Sequence, residues 1–313
     1  MSSLKKILIA VDGSPQSLKA VSYVALNLPP TDFRINLMHV MPAAPEGLGD
    51  LAKEGFFKSK LGAKHGEWER REQRAAQAFL HEARSLLLKA NLKEDDVREI
   101  VQKQRVGIAR DIIAEGSRGY EAVVVGRRGL SWLGDVFFGS VSYKIVQGIK
   151  DVPVWVVGGD VRSKKMLLAV DGSENSRKAV DYAATFAAAN DAEVRLFNAV
   201  REFRLDLLDI ATARGAELEM RIVEELEEDV QRMFASYRRR LERAGVKAKR
   251  ISDKYTLQSL TRAGDILKEA KEGNYGTIVM GRRGLSKVHE FLLGRVTTKV
   301  LHRAEEFALW LVP

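Results

Sequence analysis

The residues Gly126-Arg127-Arg128-Gly129, then nine others, then Gly139-Ser140 follow directly on the apolar run Ala122-Val123-Val124-Val125 and lead into a helical pattern. Glycine lets a backbone approach a ligand closely and permits positive φ. A helix start offers free N–H groups and the positive end of a dipole to a phosphate. A second copy reads Gly281-Arg282-Arg283-Gly284, nine residues, then Gly294-Arg295. The chemistry on offer is anion binding, twice, on one plan. A Walker loop would close its glycine run with Lys-Ser or Lys-Thr, and neither copy does. The five histidines, His39, His65, His81, His289 and His302, form no close pair at metal-ligand spacing. Ser14, Ser131, Ser140 and Ser173 have no base beside them in sequence. The chain therefore reads as a binder and not as an enzyme.

The elements that must hold these loops repeat as well. Lys5-Lys6-Ile7-Leu8-Ile9-Ala10-Val11-Asp12-Gly13-Ser14 recurs as Lys164-Lys165-Met166-Leu167-Leu168-Ala169-Val170-Asp171-Gly172-Ser173. Two features repeated in one order indicate a duplication of about 155 residues. Glycine and polar residues at 158–163 mark a boundary, giving domains 1–159 and 160–313. In the first half, Ile7–Val11 reads as a buried strand. Ser14-Pro15 opens a helix that Pro29-Pro30 stops. Strands follow at 35–40, 97–104, 122–125 and 152–157, with helices at about 67–90, after 108 and after 141. Residues 41–66, rich in glycine and proline, read as a long loop. The second half predicts strands at about 165–170, 193–200, 247–255, 277–280 and 307–312, with a long helix at 216–244 and a loop at 201–215. Alternating strands and helices with apolar strands imply an α/β fold: two tandem five-stranded parallel sheets, Rossmann-like, covered on both faces. Ligands of such sheets bind beyond the carboxyl ends of the strands. Asp12 and Gly126 both lie there.

Composition bounds the rest. A 313-residue chain with 45% hydrophobic and 30% charged residues fits two globular domains. Zero cysteines exclude disulfides and thiol chemistry. No apolar run approaches the ~20 residues that cross a membrane, and the start reads as a first strand and not a signal peptide. A cytoplasmic location is the expectation. The net charge of +9 is spread among interleaved acids. The run Arg238-Arg239-Arg240 sits on a helical pattern and reads as a solvated face, so nucleic acid ranks last among partners.

The Ile-Ala-Val-Asp-Gly-Ser start, the Gly-x2-Gly-x9-Gly-Ser/Thr loop and the closing Val-Pro-Val-Trp-Val-Val strand together resemble the universal stress protein family, in two tandem copies. The family divides into members that bind ATP and members that do not, and the glycine loop distinguishes the binders. The resemblance implies an adenine nucleotide, ATP or else AMP or ADP, held for a sensing or regulatory role. It implies that Gly126, Gly129, Gly139 and Ser140 cradle phosphates; Arg127, which the general motif lacks, and Val141 are neighbouring candidates. Val40 would read adenine, and Ala10 and Val11 would wall the base pocket. Asp12 would sit by the ribose or a phosphate-bound Mg²⁺, whose shell water and phosphate must complete. The plainer reading of Asp12 is a turn former, and that of Val40 is core packing. In the second half Asp171, Val200, Gly281, Gly284, Gly294 and Arg295 take these places. Arg295 stands where the motif has Ser or Thr, and its bulk either contacts phosphate or closes the site. The Arg-Arg pairs read as solvated loop charges or as added phosphate contacts. The resemblance also implies an intrachain pseudo-dimer of the halves through their fifth strands, and raises a homodimer. Two other functions fit the same fold: a nucleotide-free interaction scaffold, and an ATP-using enzyme with slow hydrolysis or autophosphorylation.

Overall fold

Ile7, Leu8 and Ile9 are fully buried in strand β1 (Lys5–Ala10), as expected for a strand covered on both faces. In the computed structural model, residues 5–29, 33–44, 58–127, 139–201, 213–259, 261–284 and 293–313 are described. The chain forms two compact units, Met1–Asp160 and Val161–Pro313.

In the first unit β1 is followed by helix α1 (Pro15–Asn27), β2 (Phe33–Met41), α2 (Lys58–Lys89), β3 (Val97–Lys103), α3 (Ile108–Gly116), β4 (Ala122–Gly126), α4 (Ser140–Gly148) and β5 (Val154–Val157). The strands are parallel in the order β3-β2-β1-β4-β5. The chain leaves β1 toward β2 on one side and returns to β4 on the other, so the switch point lies between β1 and β4. Crevices for ligands open at such points, at the carboxyl ends.

The second unit repeats the plan with β6 (Met166–Ala169), α5 (Glu174–Ala189), β7 (Val194–Arg201), α6 (Ala213–Arg243), β8 (Ile251–Ser259), α7 (Arg262–Glu272), β9 (Thr277–Gly281), α8 (Arg295–Arg303) and β10 (Ala308–Val312). Its strands are parallel in the order β8-β7-β6-β9-β10. Trp155 of β5 meets Tyr23 of α1 edge-on at 6.2 Å, and Trp310 of β10 meets Phe186 of α5 at 5.0 Å. Each helix that follows a first strand is thus docked over a fifth strand by an aromatic pair.

Three expected boundaries move. The segment 41–66 is not all loop: α2 begins at Lys58 and runs through Gly62 and Gly66, each of which costs a helix only about 1 kcal/mol against alanine. Strand β8 starts at Ile251 and not at 247, because Ala248–Arg250 forms a 3-10 turn. Strand β5 starts after Pro153, which has no N–H for the ladder. Among the described residues no helix is long and apolar enough to cross a membrane. The basic run on α6 is occupied by protein partners: Arg238 holds Asp253 (2.5 Å) and Arg240 holds Asp181 (3.0 Å).

Candidate functional site

The Asp-Gly-Ser turns build the first wall of each site. Gly13 and Gly172 adopt φ of 77° and 78°, which only glycine takes up without strain. The aspartates close the turns: Asp12 Oδ1 accepts from the Ser14 N–H (3.0 Å) and hydroxyl (2.6 Å), and Asp171 Oδ1 accepts from the Ser173 N–H (3.1 Å). Each serine then caps its helix, Ser14 accepting from the Ser17 N–H (3.2 Å) and Ser173 from the Ser176 N–H (3.1 Å). The turn-forming role of Asp12 is therefore real, and it engages one carboxylate oxygen.

The neighbouring strand is tied to the same turn. In the first unit His39 Nδ1–H donates to the Val11 carbonyl (2.8 Å). In the second unit Asn198 Nδ2 donates to the Val170 carbonyl (2.6 Å). His39 is held below the ordinary histidine range, chiefly by burial. The bond to Val11 and the charges of Asp12 and Glu72 act in the opposite direction. Phe79 of α2 lies edge-on to His39 at 4.8 Å and covers Gly13. Across the switch point the glycine loop closes back on its strand. The Gly139 N–H donates to the Arg127 carbonyl (3.0 Å) and Ser142 Oγ to the Gly126 carbonyl (2.7 Å). The second unit repeats this with the Gly294 N–H and the Arg282 carbonyl (2.8 Å), and with Thr297 Oγ1 and the Gly281 carbonyl (3.1 Å).

These walls enclose a cavity of about 430 Å³ in the first unit. It is lined by Ala10, Val11, Asp12, Val40, Gly126, Gly139 and Val141, all sequence-predicted, together with His39, Glu72, Phe79, Ile108, Ile112 and Ser142. The second unit has a cavity of about 610 Å³, lined by Asp171, Gly281, Gly284, Gly294 and Arg295 with Ala199, Ser259, Arg262, Arg283, Thr297 and Lys299. A side chain on Gly284 would run into the Asp171 carboxylate, so turn and glycine loop touch.

Several expectations shift. Arg127 is buried, 2% exposed, and is not among the lining residues. Its N–H continues the sheet ladder to the Val157 carbonyl, so it belongs to the packed sheet end. Arg282 is buried likewise, whereas Arg283 lines the second cavity. Ser140 is exposed at the first position of α4, and Val141 and Ser142 line the cavity instead. Val200 does not line the second cavity. The register pairs Ala10 with Met38 and Ala169 with Phe197, so Ala199 is the position that matches Val40. Arg295 lines an open cavity and does not close it. Gly129 and Arg128 lie outside the described residues, as do 45–57 and 202–212 of the loops expected at 41–66 and 201–215.

The glycines also separate by cause. A Cβ on Gly126 would stand 2.9 Å from the Gln16 carbonyl oxygen, and one on Gly281 would stand 2.8 Å from Asn175 Cβ. Close packing of strand against helix therefore explains both. Gly294 differs: its φ of −65° suits any residue, and a Cβ there would meet nothing nearer than 3.5 Å. Packing among the described residues does not call for glycine at this position.

Sequence reasoning missed Glu72, Phe79, Ser259, Arg262 and Lys299. The signal for Arg262 was present, since it is the first residue of the helix after the third strand, as Ile108 is in the first half. Among the described residues no three His, Asp or Glu groups could hold a metal ion.

Comparison with known proteins agrees with the duplication. The model of the universal stress protein family matches residues 3–158 and again 162–306. A universal stress protein of Mycolicibacterium smegmatis is 27% identical over 313 residues, covering 95% of this chain and 94% of that relative. Universal stress protein YxiE of Bacillus subtilis is 30% identical over 141 residues, 44% of this chain and 90% of the relative. A crystal structure of a universal stress protein from Archaeoglobus fulgidus shares the fold. Its TM-score is 0.60 at 20% identity, covering 98% of this chain and 97% of that one.

Proposed function

Because the chain belongs to the universal stress protein family, with two of its domains in tandem, we propose that it binds adenine nucleotides as a regulatory module. One observation carries this reading. In each unit the Asp-Gly-Ser turn and the glycine that opens the last helix line a single cavity at the switch point of a parallel sheet. The apolar walls, Val40 with Ile108 and Ile112 in the first unit and Ala199 with Ile266 in the second, suit a flat base. The helix starts at Ser140 and Arg295 present N–H groups to a phosphate. The described lining groups do not assemble a nucleophile with a base, so we read any turnover of ATP as slow and incidental.

The scaffold reading, in which the glycines serve only the backbone, draws on Gly126 and Gly281, where packing alone excludes a side chain. Among the described residues it leaves Gly294 without a reason. The deciding experiment is mass spectrometry of small molecules released from the purified chain, with Gly139→Asp and Gly294→Asp beside it. Adenine nucleotide in the wild type, reduced by each substitution, is expected. Its absence from the wild type, with no uptake on adding ATP, would overturn the proposal in favour of the scaffold.

A further inference from the structure

Among the described residues the second cavity carries charge that the first does not. Arg262 opens α7 where Ile108 opens α3, and Arg295 opens α8 where Ser140 opens α4. Phe79 and Met233 both lie over the turn glycines, so Glu72, seven residues before Phe79, matches Leu226. At matched positions the second cavity gains two guanidiniums and loses one carboxylate. Lys299 also lines it. Several other arginines of that unit are paired, as Arg195 with Glu269 (2.8 Å) and Arg250 with Asp191 (2.7 Å). Arg262, Arg295 and Lys299 are in no ion pair among the described residues, although they share one concavity. The cavity also holds an unanswered hydroxyl. Ser259, at the end of β8, is 2% exposed, and its Oγ has no hydrogen-bond partner among the described residues. A buried polar atom without a partner is disfavoured unless a ligand or water meets it. Two helix starts, unpaired cations and an orphan hydroxyl face one space, and each favours an anion.

Resting on the nucleotide reading above, we infer that the two cavities are divided by charge. The second takes a nucleoside polyphosphate, with Arg262 and Arg295 as the residues that select the phosphate chain. The first, with Glu72 where the second half has Leu226, takes an adenine ligand of lower negative charge, a nucleoside or its monophosphate. Arg262 and Arg295 are exposed, so replacing them leaves the core intact.

The test is calorimetric titration of the full chain with ATP and with adenosine, using the wild type, Arg262→Ile with Arg295→Ser, and Glu72→Leu, with thermal melts as the folding control. The double variant should lose about tenfold or more in ATP affinity, because charge-assisted bonds are lost. Its adenosine affinity should stay within about twofold, because a neutral ligand does not use them. Glu72→Leu should strengthen ATP binding in the first half. ATP affinity unchanged in the double variant, or an equal loss for adenosine, overturns the division while leaving nucleotide binding in place. A wild type that takes up neither ligand overturns both.

Discussion

Ile108 and Arg262 open the same helix of the same fold, one as part of an apolar wall and the other as a cation at a cavity mouth. The duplicated backbone kept the turn, the strand ties and the loop closure, down to matched bonds such as Ser142 to Gly126 and Thr297 to Gly281. Among the side chains that diverged are those that line the cavity, as Ile108 and Arg262 do. A parallel sheet fixes where a ligand can sit, because the switch point is a property of connectivity. Which ligand sits there is left to a few residues at helix starts, which packing does not constrain. The motif residue Ser140 is exposed beside the first cavity, while its counterpart Arg295 lines the second. Departure from the motif in the second half therefore reads as a change of ligand charge and not as loss of the site.

That comparison can be broken most sharply by transplanting it. Ile108→Arg and Ser140→Arg with Glu72→Leu should raise ATP affinity in the first half by about ten- to a hundredfold, since two charge-assisted contacts are added and one repulsion removed. The gain should shrink as salt rises. An unchanged first-half affinity at low salt would show that the positions do not control phosphate binding.

The glycines give the next largest effect. Gly126→Ala should destabilise the first unit by about 1–3 kcal/mol, because its Cβ overpacks against the backbone of α1. Urea unfolding followed by circular dichroism reads this directly. Gly294→Ala should leave stability unchanged or raise it by up to about 1 kcal/mol, since alanine restricts the unfolded chain at a φ it can adopt. It should nonetheless weaken ATP binding in the second half. Equal losses of stability at both positions would contradict the separation of packing glycines from ligand glycines.

How much of this was legible in the sequence follows from what each residue answers to. The repeat, the strands and the Asp-Gly-Ser turns were readable because Val11, Gly13 and Ser14 answer to local rules: burial period, positive φ and capping. The rim glycines and Val40 followed from the family resemblance. Glu72 and Phe79 were not readable, because only the packing of α2 brings a distant helix over the turn. Arg127 was misjudged because a charged pair beside a glycine loop reads as solvent-facing, whereas Arg127 still belongs to the sheet ladder. Val200 was misplaced by one residue, and in a strand one residue exchanges the faces.

The smallest effect concerns the strand ties. His39 and Asn198 make the same bond to the turn carbonyl, but only the imidazole titrates near neutrality. Burial lowers the folded value of His39 below 6.5. The unfolded chain therefore takes up a proton as pH falls through about 6.5, while the folded chain refuses it until the lower value is reached. The stability His39 contributes is thus fully present above the unfolded value and is lost as pH falls from there toward the folded one. An amide at this position keeps the bond without the titration, as Asn198 shows. His39→Asn should leave the melting temperature near pH 7.5 little changed and flatten its decline toward about pH 5.5, by no more than about 1.4 kcal/mol for each unit separating the two values. Melts across that range compare the slopes. Equal slopes in wild type and variant would place the pH response of the first unit outside the one tie that differs between the halves.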